Sequence, residues 1–155
     1  MKKEDDKLLE EMKKRMKEHR DECNEPTDWP PKDSTLKMFN SHGLKCAIVQ
    51  NPHLGTINGY VLLPAKHPDA GKWYDDIDVT VHGGLTFCAR DSEGGWWVGF
   101  DTAHAGDCVP SIDNLFSHDP SHIEINKLRG NRRWDAAAVI KETEQLASQF
   151  EEKWK

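Results

Sequence analysis

Three ionisable residues with a short, regular spacing are the strongest candidates for chemistry in this chain. Asp101, His104 and Asp107 follow the pattern D-x-x-H-x-x-D, with alanine and glycine among the intervening residues. Small residues allow backbone or substrate to approach closely. His82, which two glycines follow, supplies a second imidazole. The four side chains are of the types that bind divalent metals or transfer protons.

Three interpretations of this His/Asp cluster are open at the level of sequence. In the first, His82, Asp101, His104 and Asp107 are ligands of a divalent metal such as zinc or manganese. In the second, the site is metal-free, and a histidine acts as a general base that a neighbouring aspartate orients, with His104 and Asp101 as the catalytic pair. In the third, the aspartates cap turns and the histidines satisfy backbone groups.

The elements that must position these residues are short strands and two helices. Apolar runs bounded by proline and glycine predict five strands, at Lys45–Val49, Asn58–Leu63, Ile77–Val81, Leu85–Ala89 and Trp96–Asp101. Gly83-Gly84 and Gly94-Gly95 separate the last three and are typical of hairpin turns. The fold class that this pattern predicts is α+β, with an antiparallel sheet of four to five strands covered by a C-terminal helix.

The register of the first predicted hairpin places His82 at its corner. A three-residue loop from His82 to Gly84 would pair Val81 with Leu85 and create one continuous apolar face. The next strand returns antiparallel, so its end at Asp101 would lie beside the start of the preceding strand. We therefore expect His82 and the segment 101–107 to share one edge of the sheet.

The domain organisation follows from the two helical segments and the prolines. Residues 1–22 are predicted to form a charged N-terminal helix with a narrow apolar stripe, residues 23–44 a proline-containing linker, and residues 45–155 a single α+β domain. The closing helix is predicted at Arg133–Trp154. Its expected buried face contains Val139, Thr143, Leu146, Phe150 and Trp154.

Aromatic and glycine residues add candidate ligand contacts. One of Trp96 and Trp97 must face away from the core if the strand alternates, and an outward indole could stack on a planar ligand or pack under the closing helix or the long loop. The backbone N–H groups of Gly83-Gly84 or Ala105-Gly106 could receive a phosphate. The carboxylates of Asp75, Asp76 and Asp78 are expected to be solvated. His67, His118 and His122 lie in proline-containing loops, where a His118/His122 site is conceivable.

Charge and composition exclude several classes of function. The 155 residues carry a net charge of -6, and between Asp69 and Asp107 eight carboxylates face only Lys72 and Arg90, so duplex nucleic acid is not an expected partner. No apolar run approaches the ~20 residues that cross a bilayer. The N-terminus has no apolar leader, and four cysteines without a C-x-x-C pair indicate reduced thiols, so a cytoplasmic location is expected. Motifs of phosphate loops, dinucleotide folds and serine hydrolases are missing.

Two segments carry a family resemblance. HGGLT at residues 82–86 and GFD-x-AHAGD at residues 99–107, with their flanking residues, resemble a family of small uncharacterised proteins encoded by phages and prophages, over roughly residues 57–154. The resemblance implies a cytosolic protein in an infected bacterial host. Small phage proteins of this sort often counter host defence, by sequestering or degrading nucleotide signals or by blocking a host protein.

Three hypotheses of function follow. The leading hypothesis is a protein that binds a small, nucleotide-derived ligand at His82, Asp101, His104 and Asp107, with an aromatic wall from Trp96 or Trp97. The alternative is a metal-assisted or general acid–base hydrolase that uses the same four residues. The second alternative is an interaction module that blocks a host protein through the N-terminal helix, and the apolar helix stripes would also permit a homodimer.

Overall fold

The computed structural model describes residues 2–104, 107–108, 110 and 133–155. Its helices and strands are α1 (Lys2–Cys23), β1 (Thr35–Ser41), β2 (Leu44–Gln50), β3 (Ile57–Leu63), β4 (Phe87–Arg90), β5 (Trp96–Phe100) and α2 (Ala136–Trp154). Short 3-10 helices lie at Lys32–Ser34 and Tyr74–Asp76. This arrangement confirms the predicted α+β fold with an N-terminal helix, a five-stranded sheet and a closing helix.

The sheet is antiparallel throughout and has the strand order β1-β2-β3-β5-β4. The predicted hairpin of the last two strands is confirmed, with Phe87 opposite Gly99 and Arg90 opposite Trp96. Strand β5 therefore lies between β3 and β4, and its C-terminal end delivers Asp101 to the edge where β4 begins. This placement is what brings Asp101 towards the turn that contains His82.

Helix α2 covers one face of the sheet. Asp135 caps its N-terminus, since the carboxylate accepts a hydrogen bond from the N–H of Ala138 at 2.8 Å. The buried side chains of the helix are Val139, Thr143, Leu146, Ala147 and Phe150. Trp154, which was predicted on this face, is 46% exposed because it lies in the last turn of the helix.

The segment Ile77–Val81 does not form the predicted strand, and the predicted pairing of Val81 with Leu85 is therefore wrong. In the described part of the chain, β5 is the one strand that pairs with β4, and Arg90 at its end also accepts a backbone hydrogen bond from Thr27. The backbone of the segment is instead satisfied by α2, because Thr80 N–H donates to Gln149 Oε1 at 2.7 Å and Gln149 Nε2 donates to Thr80 C=O at 2.6 Å. Alternate side chains of the segment are still buried, which is why its pattern resembled a strand.

The region predicted as a linker, residues 23–44, contains a strand. Residues Thr35–Ser41 form β1 and pair along β2 from Thr35↔Val49 to Ser41↔Leu44. Only Phe39 of the apolar residues in β1 packs against the main core, and Leu36 and Met38 are 50% and 41% exposed. A strand at the edge of a sheet with so little buried surface carries a weak apolar signal, so its sequence did not reveal it.

Helix α1 spans the 22 residues from Lys2 to Cys23 and has no buried residue among those that the structure describes. Its last turns contact the rest of the chain, where the His19 ring lies 5.1 Å from the Trp73 ring and the Arg20 guanidinium lies 5.3 Å from the same indole. In the described ranges, neither helix has the length and apolar character that a membrane crossing requires.

Candidate functional site

The structure brings the four predicted residues of the His/Asp cluster together. His82 Nε2 lies 2.8 Å from Asp107 Oδ2, and His104 Nδ1 lies 3.6 Å from the same oxygen. On the other side of the imidazole, His104 Nε2 lies 3.3 Å from Asp101 Oδ1. The expected convergence at one edge of the sheet is therefore observed, although the strand that was thought to lead into His82 is absent.

Contacts to both the backbone and the ring of His82 fix its position. The chain turns at Val81–Gly84, where the Gly84 N–H donates to the Val81 C=O at 2.9 Å. The His82 N–H donates to Glu142 Oε1 of α2 at 2.9 Å, and its imidazole packs against the Trp134 indole with ring centroids 4.5 Å apart. Helix α2 and Trp134, which lies two residues before it, thus fix the position of His82.

Asp107 is the centre of the cluster, and its side chain is 1% exposed. Its carboxylate accepts hydrogen bonds from His82 Nε2 at 2.8 Å, from the His104 backbone N–H at 3.1 Å and from Trp134 Nε1 at 2.9 Å. Burial raises the pKa of Asp107, but the hydrogen bonds from His82, the His104 backbone and Trp134 together hold the pKa below its ordinary value. The carboxylate is therefore ionised at neutral pH.

His104 lies between two carboxylates and presents a different nitrogen to each. Each carboxylate favours a proton on the nitrogen that faces it, so the single proton of a neutral ring leaves the lone pair of the other nitrogen directed towards a carboxylate. Within the described part of the chain, Nδ1 is buried and has no hydrogen-bond partner. A buried nitrogen lone pair beside an ionised carboxylate is repelled by it, and a cation between the two groups removes that repulsion.

The cluster has the composition of a metal site. One ligand atom each from His82, His104 and Asp107 can be chosen so that all three lie within 4.8 Å of one another. Asp101, predicted as a fourth ligand, contacts the opposite side of the His104 ring and is placed to orient it. In the absence of a metal, the same geometry provides a His82–Asp107 pair whose hydrogen bond orients His82 as a general base.

Two contributors to the site were missed at the level of sequence, Trp134 and Glu142. Trp134 donates to Asp107 and packs against His82, and Glu142 holds the His82 backbone. Both lie at least 27 residues from their partners along the chain. The helix periodicity placed Glu142 off the buried face, and no local pattern in the sequence indicates its contact with the turn.

Trp96 and Trp97 do not line the cluster. Each is 1% exposed, so neither offers an open ring face to a ligand. Trp96 lies in the main core, whereas Trp97 lies in a second cluster on the other face, against which Trp29, Leu62 and Phe87 pack. The prediction that one of the two faces away from the main core is confirmed, but its cover is the segment around Trp29.

The glycine and loop predictions have mixed outcomes. The N–H of Gly84 is engaged by Val81, so that group is not available to a phosphate. Gly83 has a positive φ of 68° and contacts His104. Ala105, Gly106, His118 and His122 lie outside the described residues, and the ligand contacts predicted for them remain predictions.

The other candidate residues are structural or exposed. His67 is 3% exposed, with Nε2 2.9 Å from the Phe150 C=O and Nδ1 accepting the Asp69 N–H at 3.0 Å, so both nitrogens are used. The carboxylates of the acidic segment are exposed as expected, at Asp75, Asp76 and Asp78. Among the described residues that the sequence indicated as candidates, those of the His/Asp cluster are the ones that remain candidates for metal binding or acid–base catalysis.

A comparison with family models, with curated proteins and with solved structures gives no match for this chain. The resemblance of residues 57–154 to a phage-encoded family stays a prediction.

Proposed function

We propose that the chain binds one divalent transition-metal ion through His82, His104 and Asp107, and that the ion serves hydrolysis of a small phosphoester. The observation that carries the proposal is the buried Nδ1 of His104. It has no hydrogen-bond partner in the described structure and lies 3.6 Å from Asp107 Oδ2. Two imidazoles and one carboxylate are a common ligand set of zinc and of other first-row metals.

Two of the three separations between ligand atoms lie close to those that an ion requires, and the third is under 4.8 Å. Tetrahedral zinc with bonds of about 2.0–2.1 Å separates neighbouring ligand atoms by roughly 3.3–3.4 Å. The two distances from Asp107 Oδ2 to the histidines are 2.8 and 3.6 Å, one below and one above that value. Side-chain movements of about half an ångström bridge the difference at these two distances, and the proton between His82 and Asp107 would be displaced when the metal binds.

Neighbouring groups hold each ligand in place, as expected for a metal site. Asp101 lies against the outer nitrogen of His104, and Trp134 donates to Asp107 Oδ1, which leaves Oδ2 facing the two histidines. Such outer contacts fix tautomer and orientation and raise ligand basicity. The eight carboxylates between Asp69 and Asp107 also favour a cation in this part of the chain.

Hydrolysis requires a coordination position that water can reach, and the partial exposure of the two histidine ligands provides one. The His82 and His104 side chains are 25% and 28% exposed, whereas that of Asp107 is 1% exposed. A bound zinc ion lowers the pKa of its water to about 7. Held by His82, His104 and Asp107, such an ion would supply a hydroxide that could attack phosphorus, and the proton given up by the water would go to the leaving oxygen as the ester P–O bond breaks. The nucleotide-derived molecule expected as a ligand is, in this proposal, the substrate.

The first experiment measures metal content by mass spectrometry on tag-free protein. We expect near-stoichiometric zinc, manganese or iron, lost in His104→Ala and retained in His53→Ala, which removes an exposed imidazole. Phosphodiesterase activity towards bis-p-nitrophenyl phosphate should follow the metal and disappear with chelator. A protein that contains no metal, binds none on titration with these ions and is indifferent to chelator would refute the proposal.

A metal-free general base is the second candidate, and the 2.8 Å bond from His82 Nε2 to the buried carboxylate of Asp107 favours it. This carboxylate would orient the ring and stabilise its protonated form. One assay distinguishes the metal site from the metal-free general base. Activity that survives chelator and is lost in His82→Ala supports the general base, whereas activity lost in chelator and restored by metal supports the metal site.

The wider role that we propose is action in the cytosol of a bacterial host during infection, where degradation of a nucleotide signal would counter host defence. The thiols of Cys46 and Cys88, both buried and outside any disulfide, are consistent with a reducing compartment. Host location is tested by fractionation of infected cells and counter-defence by phage titre. A protein found outside the cytosol, or a knockout with unchanged titre on every host, would contradict this role.

A further inference from the structure

Helix α1 carries an apolar stripe on its N-terminal half and centre. The stripe consists of Leu8, Leu9, Met12 and Met16, which are 59%, 51%, 54% and 48% exposed. Their spacing of three, four and seven residues places them on one side of the helix. Helices in proteins are stabilised mainly by packing of an apolar face, so the exposed stripe on this 22-residue helix is suited to a partner.

The same side of α1 already packs on the domain at the other end of the helix. His19 and Cys23 continue the stripe by helical spacing, and they lie against Trp73 and the Cys88 thiol respectively. The contacting side of the helix is therefore the apolar side, and among the described residues only its last turns are covered. What covers the remainder must accept Leu8, Met12 and Met16 in a row.

Charge along the helix favours a second copy of this chain as that partner. Residues 2–11 contain five acidic and three basic side chains, whereas residues 12–20 contain one acidic and five basic. A parallel pair in register would place like charges together. An antiparallel pair places the acidic half of each helix beside the basic half of the other, which is attractive at both ends.

We propose that two chains associate through α1 in an antiparallel pair with its two-fold axis at Met12. In this register Leu8 faces Met16 of the partner subunit, and the two Met12 side chains meet at the axis. On one edge of the stripe, Glu11 approaches Arg15 of the partner subunit. The unbranched thioethers of methionine adapt to one another readily at such a contact. The pairing is independent of the metal site.

The association is weak because the interface is small. Four apolar side chains from each copy bury less than the about 1,200 Å² that stable complexes need, so a dissociation constant in the micromolar range is expected. Weak pairs of this kind are sensitive to a single charge at the axis. Met12→Lys places two ammonium groups face to face and should abolish dimerisation.

The test is sedimentation velocity of the full chain over about 1–500 μM, a range that spans the affinities of weak pairs. Wild type should pass from monomer to dimer, whereas Met12→Lys should remain a monomer. Glu10→Lys makes a larger change of charge on the opposite side of the helix and should associate like wild type. Since α1 contributes no buried residue, circular dichroism of the domain should be the same in all three.

The direction of the pair is tested by exchanging charges at its edges. Glu11→Lys and Arg15→Glu should each weaken association by about three- to tenfold, because each creates two repulsive contacts. An equimolar mixture of these two variants should restore it, since both contacts between unlike variants are attractive. The matched pair Glu10→Lys and Lys14→Glu, on the opposite side, should show neither effect.

Three results would overturn the proposal. The first is a wild type that stays monomeric at every concentration. The second is a dimer that survives Met12→Lys, which places the interface elsewhere. The third is a stripe variant that unfolds the domain, which would show that the chain itself covers α1.

Discussion

Gly83 lies directly against the imidazole ring of His104, so closely that a Cβ atom at position 83 would overlap the ring. The glycine also has a φ of +68°, in the left-handed region that other residues adopt only with strain. These two requirements coincide at one residue of the turn that carries His82. The space left by the missing side chain allows His104 to place Nδ1 opposite Asp107, and the candidate metal site depends on it.

Gly83→Ala should therefore damage the site as well as the fold. We expect a loss of about 2–3 kcal/mol in the free energy of unfolding, from backbone strain and overpacking, and at least tenfold weaker metal binding. The matched control is Gly84→Ala, where φ is +80° and nothing lies within 4 Å of the added Cβ. It should cost about 1 kcal/mol of strain and leave metal affinity unchanged. Urea denaturation and zinc titration measure both effects, and equal metal affinities in the two variants would contradict the assignment.

Asp101 should act on the metal through His104 and not by direct coordination. Asp101→Asn retains the volume of the side chain but removes the charge that favours the proton on His104 Nε2. Metal affinity should fall about 10–100-fold, the usual cost of losing an outer-shell carboxylate. The exposed control Asp75→Asn should have the affinity of wild type. X-ray absorption of the zinc-loaded protein should show two imidazoles in both variants. Loss of metal from Asp101→Asn at saturating zinc would instead indicate that Asp101 is a ligand.

The residues of the site were predicted better than the secondary structure of the segment that leads into it. Two local features of the sequence agree with the structure. They are the spacing of Asp101, His104 and Asp107 after a strand, and the glycine turn after His82. The β4–β5 hairpin that joins them was also predicted, because two apolar runs flank a Gly-Gly turn. The strand assigned to Ile77–Val81 failed because alternation reports burial of side chains and does not identify the partner of the backbone.

The features that could not be predicted depend on contacts between segments that are far apart in the sequence. Glu142 and Gln149 of α2 hold the backbone before β4, and neither is among the residues that the sequence predicts on the buried face of the helix. Trp29 packs on the cluster that contains Trp97, and it does so from a segment predicted as a linker because of its prolines. Each of these contacts requires the sheet order, in which β5 pairs with β3 across 33 or more residues of sequence.

Buried thiols should be unreactive in the folded protein. Burial raises the pKa of both Cys46 and Cys88 to about 12, so the thiolate is scarce at pH 8. We expect iodoacetamide at pH 8 to leave both residues unmodified in native protein and to alkylate both in guanidinium. Peptide mass spectrometry after quenching measures the modification. Rapid labelling of Cys46 in native protein would show that β2 opens locally, contrary to its central place in the sheet.

Asp69 joins the loop before the 3-10 helix Tyr74–Asp76 to the end of α2. Its side chain is 4% exposed and binds Lys72 at 3.1 Å and Lys153 at 2.8 Å. Burial raises the pKa of Asp69, but the hydrogen bonds and charges of Lys153 and Lys72 outweigh burial and lower the pKa below its ordinary value. A depressed pKa in the folded state stabilises the fold above the pKa of the unfolded chain, which is about 3.9 for aspartate. That contribution is lost as pH falls through the folded pKa.

Asp69→Asn should therefore destabilise the protein at neutral pH and not in acid. We expect about 1–2 kcal/mol less free energy of unfolding at pH 7, since Lys72 and Lys153 are partly exposed and water screens the pair. The difference from wild type should shrink below about pH 4 as the wild-type carboxylate takes up a proton. Glu152→Gln removes the same charge from an exposed pair with Lys155 and should leave stability unchanged at every pH. Urea denaturation between pH 3 and 7 measures the three proteins. A difference that persists undiminished at low pH would mean that Asp69 acts through hydrogen bonds that the neutral acid also makes, and that its ion pairs contribute nothing.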